Sequence, residues 1–209
     1  MNDFFSTIRK HQEQKLPFVI YSKPNSSLLF AFLQQDDTLY TVTDYSEQGF
    51  VFASFDEKQL ILIPEKQSKI ISTEQKEIKF DFNEIDDLGF DPEAKTQYED
   101  LVTKGIDAIK NEEFKKVVLS RNEKLELTDL DFVITFQRLI HLYPTTFSYC
   151  FFHPQIGFWM GATPEQLLKA NGNVFETTAL AGTQKANLKK KFFGSKKKKT
   201  NSNMLLILS

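Results

Sequence analysis

Cysteine and histidine are scarce in this chain. Cys150 is the only cysteine among the 209 residues, which excludes an internal disulfide and fits a reducing compartment. The three histidines, His11, His141 and His153, are scattered, and no Cys/His pair has the spacing of zinc ligands. We therefore expect these side chains to be solvated or to lie in the core, and we assign no metal ligand to them.

Long apolar runs and glycine-rich loops are also lacking. No stretch approaches the roughly 20 apolar residues of a membrane span. Residues 1–10 contain neither the apolar run nor the small-residue cleavage site of a signal peptide. Gly194-Ser-Lys196 has no upstream glycine at the spacing of a phosphate-binding loop. These absences predict a cytoplasmic protein with no membrane partner.

Charge is distributed unevenly along the chain. The formal net charge is −2, but residues 185–209 contain eight lysines and no acidic residue, whereas residues 1–184 contain 18 basic and 28 acidic side chains. A nucleic-acid partner requires a clustered basic face. The excess of acidic residues in 1–184 therefore argues against nucleic acid as the main partner. A small anionic substrate, held by a few local hydrogen-bond donors, remains compatible with this charge.

The first part of the chain is rich in short β-type runs. A short polar helix over residues 6–14 precedes apolar runs separated by turn-forming residues. These runs predict an antiparallel meander, with strands at Phe18–Tyr21, Leu28–Leu33, Leu39–Val42, Phe50–Phe55 and Leu60–Pro64. Residues 65–90 are polar and acidic, and they indicate a connection.

Helical and strand patterns both follow. Asp91-Pro92-Glu93 is a helix start, and the apolar spacing extends that helix to about Asn111. The further predictions are strands at Lys115–Arg121 and Leu125–Leu127, a helix at Asp129–Leu142, and two hairpins: Phe147–His153 with Ile156–Met160, and Leu167–Ala170 with Val174–Thr178. The second hairpin turns at Asn171-Gly172. Strands grouped with strands, with helices between the groups, predict an α+β fold.

Three motifs lie in this later part of the chain. They are Phe114-Lys-Lys-Val-Val-Leu-Ser-Arg121, Gly161-Ala-Thr-Pro-Glu-Gln-Leu-Leu168 and Ala179-Leu-Ala-Gly-Thr183. Taken singly, the first is typical of an exposed strand with solvated lysines, the second of a helix start and the third of a strand ending in a turn. Taken together, they resemble the chorismate-binding enzymes, isochorismate synthases above all, over about residues 92–183.

The resemblance implies roles for five residues. Adding water to the chorismate ring while a hydroxyl leaves requires one group to take a proton and another to give one. The match makes Lys116 the general base, which requires burial or a nearby cation to lower its pKa, and makes Glu165 the general acid. It places the loop of Ala181, Gly182 and Thr183 against the substrate, where Gly182 allows close approach and Thr183 can donate a hydrogen bond.

The resemblance also implies chorismate as substrate, Mg²⁺ as cofactor and an architecture of antiparallel sheets with flanking helices. Family members continue well beyond this point and carry the magnesium-binding glutamates there, so the resemblance implies an incomplete fold without its C-terminal half and with no metal ligand of its own. It divides the chain into an N-terminal β-rich region (1–90), the start of the catalytic region (91–184) and a basic tail (185–209). We expect a monomer.

The resemblance leaves the product and the pathway open. Salicylate synthase is the nearest competitor, whereas enzymes that make aminodeoxychorismate tend to have a lysine where Ala181 stands, and anthranilate synthases usually lack the base at Lys116. Isochorismate could feed either menaquinone or siderophore synthesis.

The basic tail has two interpretations. Its change of composition fits an out-of-frame translation that begins near Lys185, in which case residues 1–209 alone are expected to be unstable and to lack synthase activity. Alternatively, the lysines form a patch for an anionic partner, and the protein is a non-catalytic binding protein.

Overall fold

The computed structural model describes residues 2–54, 56, 58–75, 92–122, 130–164, 169–171 and 173–176. The chain separates into two compact units, one formed by Met1–Ile78 with Asp131–Ser209 and the other by Lys79–Leu130. In the described part of the chain, no helix has the length and apolar character needed to span a membrane.

The described residues form helices and strands in both halves of the sequence. The helices are α1 (Asn2–Glu13), α2 (Pro92–Lys110) and α3 (Phe132–Leu142), and Glu65–Gln67 forms one 3-10 turn. The strands are β1 (Phe18–Ser22), β2 (Leu28–Gln34), β3 (Tyr40–Thr41), β4 (Gly49–Ala53), β5 (Leu60–Pro64), β6 (Ser68–Glu74), β7 (Phe147–His153), β8 (Gly157–Thr163), β9 (Lys169–Asn171) and β10 (Val174–Glu176). Apart from α2, all of them belong to the larger unit.

Antiparallel pairing joins the strands into three sheets. The central sheet has five strands in the order β6-β2-β1-β7-β8, the second sheet has the order β3-β5-β4, and β9 pairs with β10. In the central sheet Phe18 stands opposite Leu33 on one side and opposite Phe152 on the other. Strands from before residue 75 and after residue 146 therefore share one hydrogen-bonded sheet.

Apolar side chains pack on both faces of the central sheet, because successive residues of a strand point to opposite faces. Phe18 and Ile20 pack in a cluster with Phe4, Phe5 and Ile8 of α1 and Val133, Phe136 and Ile140 of α3. Val19 and Phe151 point the other way and pack with Ile61 and Ile63 of the second sheet. The larger unit is therefore a three-layer α/β/β arrangement whose middle strand, β1, is buried on both faces.

An ion pair connects α1 with the N-terminus of α3 in the larger unit. The Asp131 carboxylate accepts hydrogen bonds from the backbone N–H groups of Val133 and Ile134, and so caps α3. It also pairs with Nη2 of Arg9 on α1, at 2.7 and 2.6 Å from its two oxygens. Burial raises the pKa of Asp131, but these hydrogen bonds outweigh burial and leave the pKa below its usual value.

Two substitutions at Asp131 separate its capping from its charge. Alanine removes the cap and the ion pair, so we expect the free energy of unfolding to fall by about 1–2 kcal/mol. Asparagine keeps a capping oxygen and loses only the half-exposed ion pair, so its loss should stay below about 1 kcal/mol. Urea unfolding of the two variants and the wild type measures this difference. Equal losses for both would mean that the cap contributes nothing.

The local predictions agree with the structure in most places. The α+β class is confirmed, as are helices close to the three predicted positions and both predicted hairpins. The single meander is wrong, because the first five strands divide between two sheets. Strand β6 was missed, since residues 65–90 were interpreted as a connection. The predicted strand Leu125–Leu127 lies outside the described residues.

The predicted strand at Lys115–Arg121 is also wrong. This stretch of the smaller unit has no ladder partner among the described residues and remains irregular. It lies along α2 instead: a Cβ added to Gly105 would come within 3.3 Å of Val117 and 3.2 Å of Leu119. Because Gly105 has no side chain, Val117 and Leu119 can pack against α2 at this position. Val118, between them, is 81 % exposed.

Candidate functional site

Lys116 lies in the smaller unit, in the irregular stretch that follows α2. Its side chain is exposed, as are those of its neighbours Lys115 and Val118. Val117 and Leu119 contact the surface at Gly105, so this stretch is held to α2 through its apolar residues and not through its lysines. The structure therefore places Lys116 at the solvent-exposed side of this stretch.

A surface cavity of about 460 Å³ lies next to this stretch, between α2 and residues 120–122. Gln97, Tyr98 and Leu101 of α2 line one wall, and Ser120 and Arg121 line the other. Its size is within the usual range of small-molecule pockets. Lys116 is not among the lining residues, so this cavity does not place a substrate next to the predicted base.

The start of the second motif lies on β8. Gly161, Ala162 and Thr163 are its last three residues and stand opposite Tyr149, Ser148 and Phe147 of β7. Thr163 is therefore part of a hydrogen-bonded strand. The described part of the motif ends at Pro164, directly after the last residue of β8.

Gly161 provides space for an aromatic side chain. A Cβ at this position would lie 2.7 Å from Cε1 and 2.9 Å from Oη of Tyr149, too close for any side chain to be added without movement. The Tyr149 ring is part of an aromatic layer with Phe50, Phe52 and Phe147. Burial in this layer raises the pKa of the Tyr149 hydroxyl. The glycine of the motif thus has a packing role as well as any role in catalysis.

Replacing Gly161 by alanine should force the Tyr149 ring against its aromatic neighbours. We expect the free energy of unfolding to fall by about 1–3 kcal/mol, the usual cost of overpacking. The double variant Gly161→Ala/Tyr149→Leu removes the clash, so its loss should be smaller than the sum of the two single losses. Chemical denaturation of the four proteins gives this comparison, and strictly additive losses would rule out the clash.

The other four predicted site residues, Glu165, Ala181, Gly182 and Thr183, lie outside the described residues. The described part of the chain contains no group of three or more His, Cys, Asp or Glu side chains placed to hold a metal ion. None of the described residues is therefore assigned as a Mg²⁺ ligand. Cys150 is buried, and its burial raises the pKa of the thiol to about 12, which makes it an unreactive core residue.

Sequence reasoning missed the aromatic layer and a buried polar cluster at one end of the central sheet. The alternation of Phe147, Tyr149 and Phe151 was the signal for the layer, because alternate residues share one face of a strand. The polar cluster contains Gln34 and His153, both fully buried. No local pattern distinguishes these two from solvated polar residues, and only the strand pairing reveals their burial.

Comparison with known proteins identifies the family. The chorismate binding enzyme family matches residues 31–197, about four fifths of the chain. The chain therefore belongs to the chorismate-binding enzymes. The match includes Lys116 and the two downstream motifs, begins well before Pro92, and ends within the basic tail. No curated protein and no solved structure gives a significant match to the chain.

Proposed function

We propose that this chain derives from an isochorismate synthase, within the chorismate-binding family to which it belongs, and that a shift of reading frame near Lys185 leaves residues 1–209 alone inactive. The observation that supports the choice most strongly is Lys116 directly before Val117 and Val118, within the matched range. The alanine at position 181, where aminodeoxychorismate-forming enzymes tend to have lysine, supports it further. Salicylate synthesis from chorismate is the nearest alternative within the family.

The proposed reaction needs one proton acceptor and one proton donor. Lys116, in its neutral form, takes a proton from water as the water oxygen bonds to a carbon of the chorismate ring. Glu165, in its protonated form, gives a proton to the departing hydroxyl, which leaves as water. The ring gains one hydroxyl and loses another, so substrate and product are isomers and no oxidant or reductant is consumed.

The loop of Ala181, Gly182 and Thr183 is proposed to contact the substrate. Glycine lets the backbone come close, and the threonine hydroxyl can donate a hydrogen bond to a carboxylate. Mg²⁺ belongs to the proposal as a cofactor that would neutralise carboxylate charge. No step is assigned to it, because the described residues do not provide its ligands.

The assay that tests this function is product identification. Chorismate and Mg²⁺ are incubated with residues 1–209 and, separately, with the protein encoded when one base is restored near codon 185. We propose that the second protein forms isochorismate and that the first forms none. Salicylate as the first product would favour the alternative, and unconverted chorismate with both proteins would contradict the proposed function.

A further inference from the structure

His153 occupies a fully buried position at the end of β7, where the chain turns into β8. Its Nδ1 accepts a hydrogen bond from the backbone N–H of Gln155 at 3.2 Å. The turn is closed by a second hydrogen bond, from the N–H of Ile156 to the carbonyl of His153 at 3.0 Å. Since Nδ1 is the acceptor, the neutral ring carries its proton on Nε2.

The Nε2 atom of His153 is buried and has no hydrogen-bond partner within the described part of the chain. The carbonyl of Thr38, in the β2–β3 loop, lies by the ring, but it already accepts a hydrogen bond of 2.8 Å from Nε2 of Gln34. The side chain of Gln34 is itself fully buried and also bonds the carbonyl of Asp36 at 2.9 Å, which fixes this loop. The Thr38 carbonyl favours the protonated ring, but it is shared with the Gln34 amide.

Few charges act on the ring. Asp37 favours the protonated form, but its side chain is exposed, and Asp36 is held by Gln34, Thr38 and Tyr40. The turn residues 154–156 and Gly157, which stands opposite His153 on β8, carry no charge. Burial is the largest effect and lowers the pKa of His153 below its usual value of 6.5.

We propose that the β7–β8 turn is an acid-sensitive latch, closed while His153 is neutral and opened when Nδ1 takes a proton. A protonated Nδ1 can no longer accept from Gln155, and two N–H groups then face each other inside the turn. The turn opens to let the charged ring reach water. This inference concerns the fold of the larger unit and is independent of the proposed function.

The sign of the pH dependence follows from linkage. The open turn leaves His153 near its usual pKa of 6.5, whereas the closed turn lowers it. The open form therefore binds the proton more tightly, and the closed form loses stability as the pH falls below about 6.5 until the lowered pKa is reached. Over that window the opening equilibrium should increase by up to about tenfold per pH unit.

Hydrogen exchange of the backbone amides of Gln155 and Ile156 tests the latch. Protection factors, corrected for intrinsic exchange, are measured at several pH values between 7.5 and 5 on the wild type, His153→Asn and His141→Asn. We expect them to fall by up to about tenfold per pH unit below pH 6.5 in the wild type and in His141→Asn, whose histidine is exposed. They should stay constant in His153→Asn, because asparagine can place an oxygen near the Nδ1 position and does not titrate.

The measurement must be local, because His11 on α1 is a second buried histidine whose pKa is lowered by burial. The pH dependence of global unfolding would therefore combine the effects of His11 and His153. Protection at Gln155 and Ile156 that does not change with pH in the wild type would overturn the latch. Retained pH dependence in His153→Asn would also overturn it. Should that variant fail to fold, the NMR titration of His153 in the wild type decides: an Nε2–H tautomer with a pKa below 6.5 supports the latch, and an Nδ1–H tautomer or a higher pKa contradicts it.

Discussion

Replacing Lys116 by alanine is expected to lower kcat for isochorismate formation by about 10²–10⁴-fold, the usual contribution of a general base. The test uses the protein made from the restored frame, because that is the form proposed to be active. Glu165→Gln should cause a loss of similar size, since an amide cannot give a proton to the leaving hydroxyl. Steady-state kinetics with chorismate and Mg²⁺ measures both effects.

Lys115→Ala is the matched control for Lys116. The two lysines are adjacent, and both are exposed in the described structure, so a loss of surface charge affects them alike. We expect Lys115→Ala to retain kcat within about threefold, as for a side chain with no part in proton transfer. Equal losses at the two positions would indicate an effect of charge or folding and would remove Lys116 from the mechanism.

The largest expected effect on stability is at Phe18. This residue is fully buried in the middle strand of the central sheet, with ring-centroid distances of 5.7 Å to both Phe132 on α3 and Phe152 on β7. Phe18→Ala should lower the free energy of unfolding of the larger unit by about 3–5 kcal/mol, because it removes buried apolar area and leaves a cavity. That is a large fraction of the stability of a typical domain.

Phe175→Ala is the control for this prediction. Phe175 lies on β10 and is 67 % exposed, so its loss should change stability by less than about 0.5 kcal/mol. Denaturant unfolding followed by circular dichroism compares the two variants with the wild type. A cost at Phe18 no larger than that at Phe175 would contradict the three-layer packing around β1.

Local patterns predicted the elements well, because they depend on side chains close in sequence. The alternation around Phe147–His153 and the helical spacing of residues 132–142 both correspond to observed elements. Pairing depends on distant residues, so the contact of β1 with β7 could not be read from either strand. The stretch Lys115–Arg121 has strong β propensity but no partner strand among the described residues, and propensity alone does not form a ladder.

The sequence predicted the class of substrate for the candidate site but not the arrangement of its side chains. The motifs around Lys116 and Gly161 pointed to chorismate, and the family match confirms that coarser assignment. The contact of Gly161 with Tyr149 could not be predicted, because it depends on the β7–β8 register. The clustering of buried Gln34 and His153 could not be predicted for the same reason. Both residues are buried because strand pairing brings them together at one end of the central sheet.

The most direct test of the proposed function is the source of the new hydroxyl oxygen. Chorismate is incubated with Mg²⁺ and the restored-frame protein in water enriched in ¹⁸O, and the product is analysed by mass spectrometry. Isochorismate carrying one ¹⁸O atom in its ring hydroxyl is the predicted result, since the added oxygen comes from water. Isochorismate without the label, or chorismate converted only to another product, would contradict the assignment.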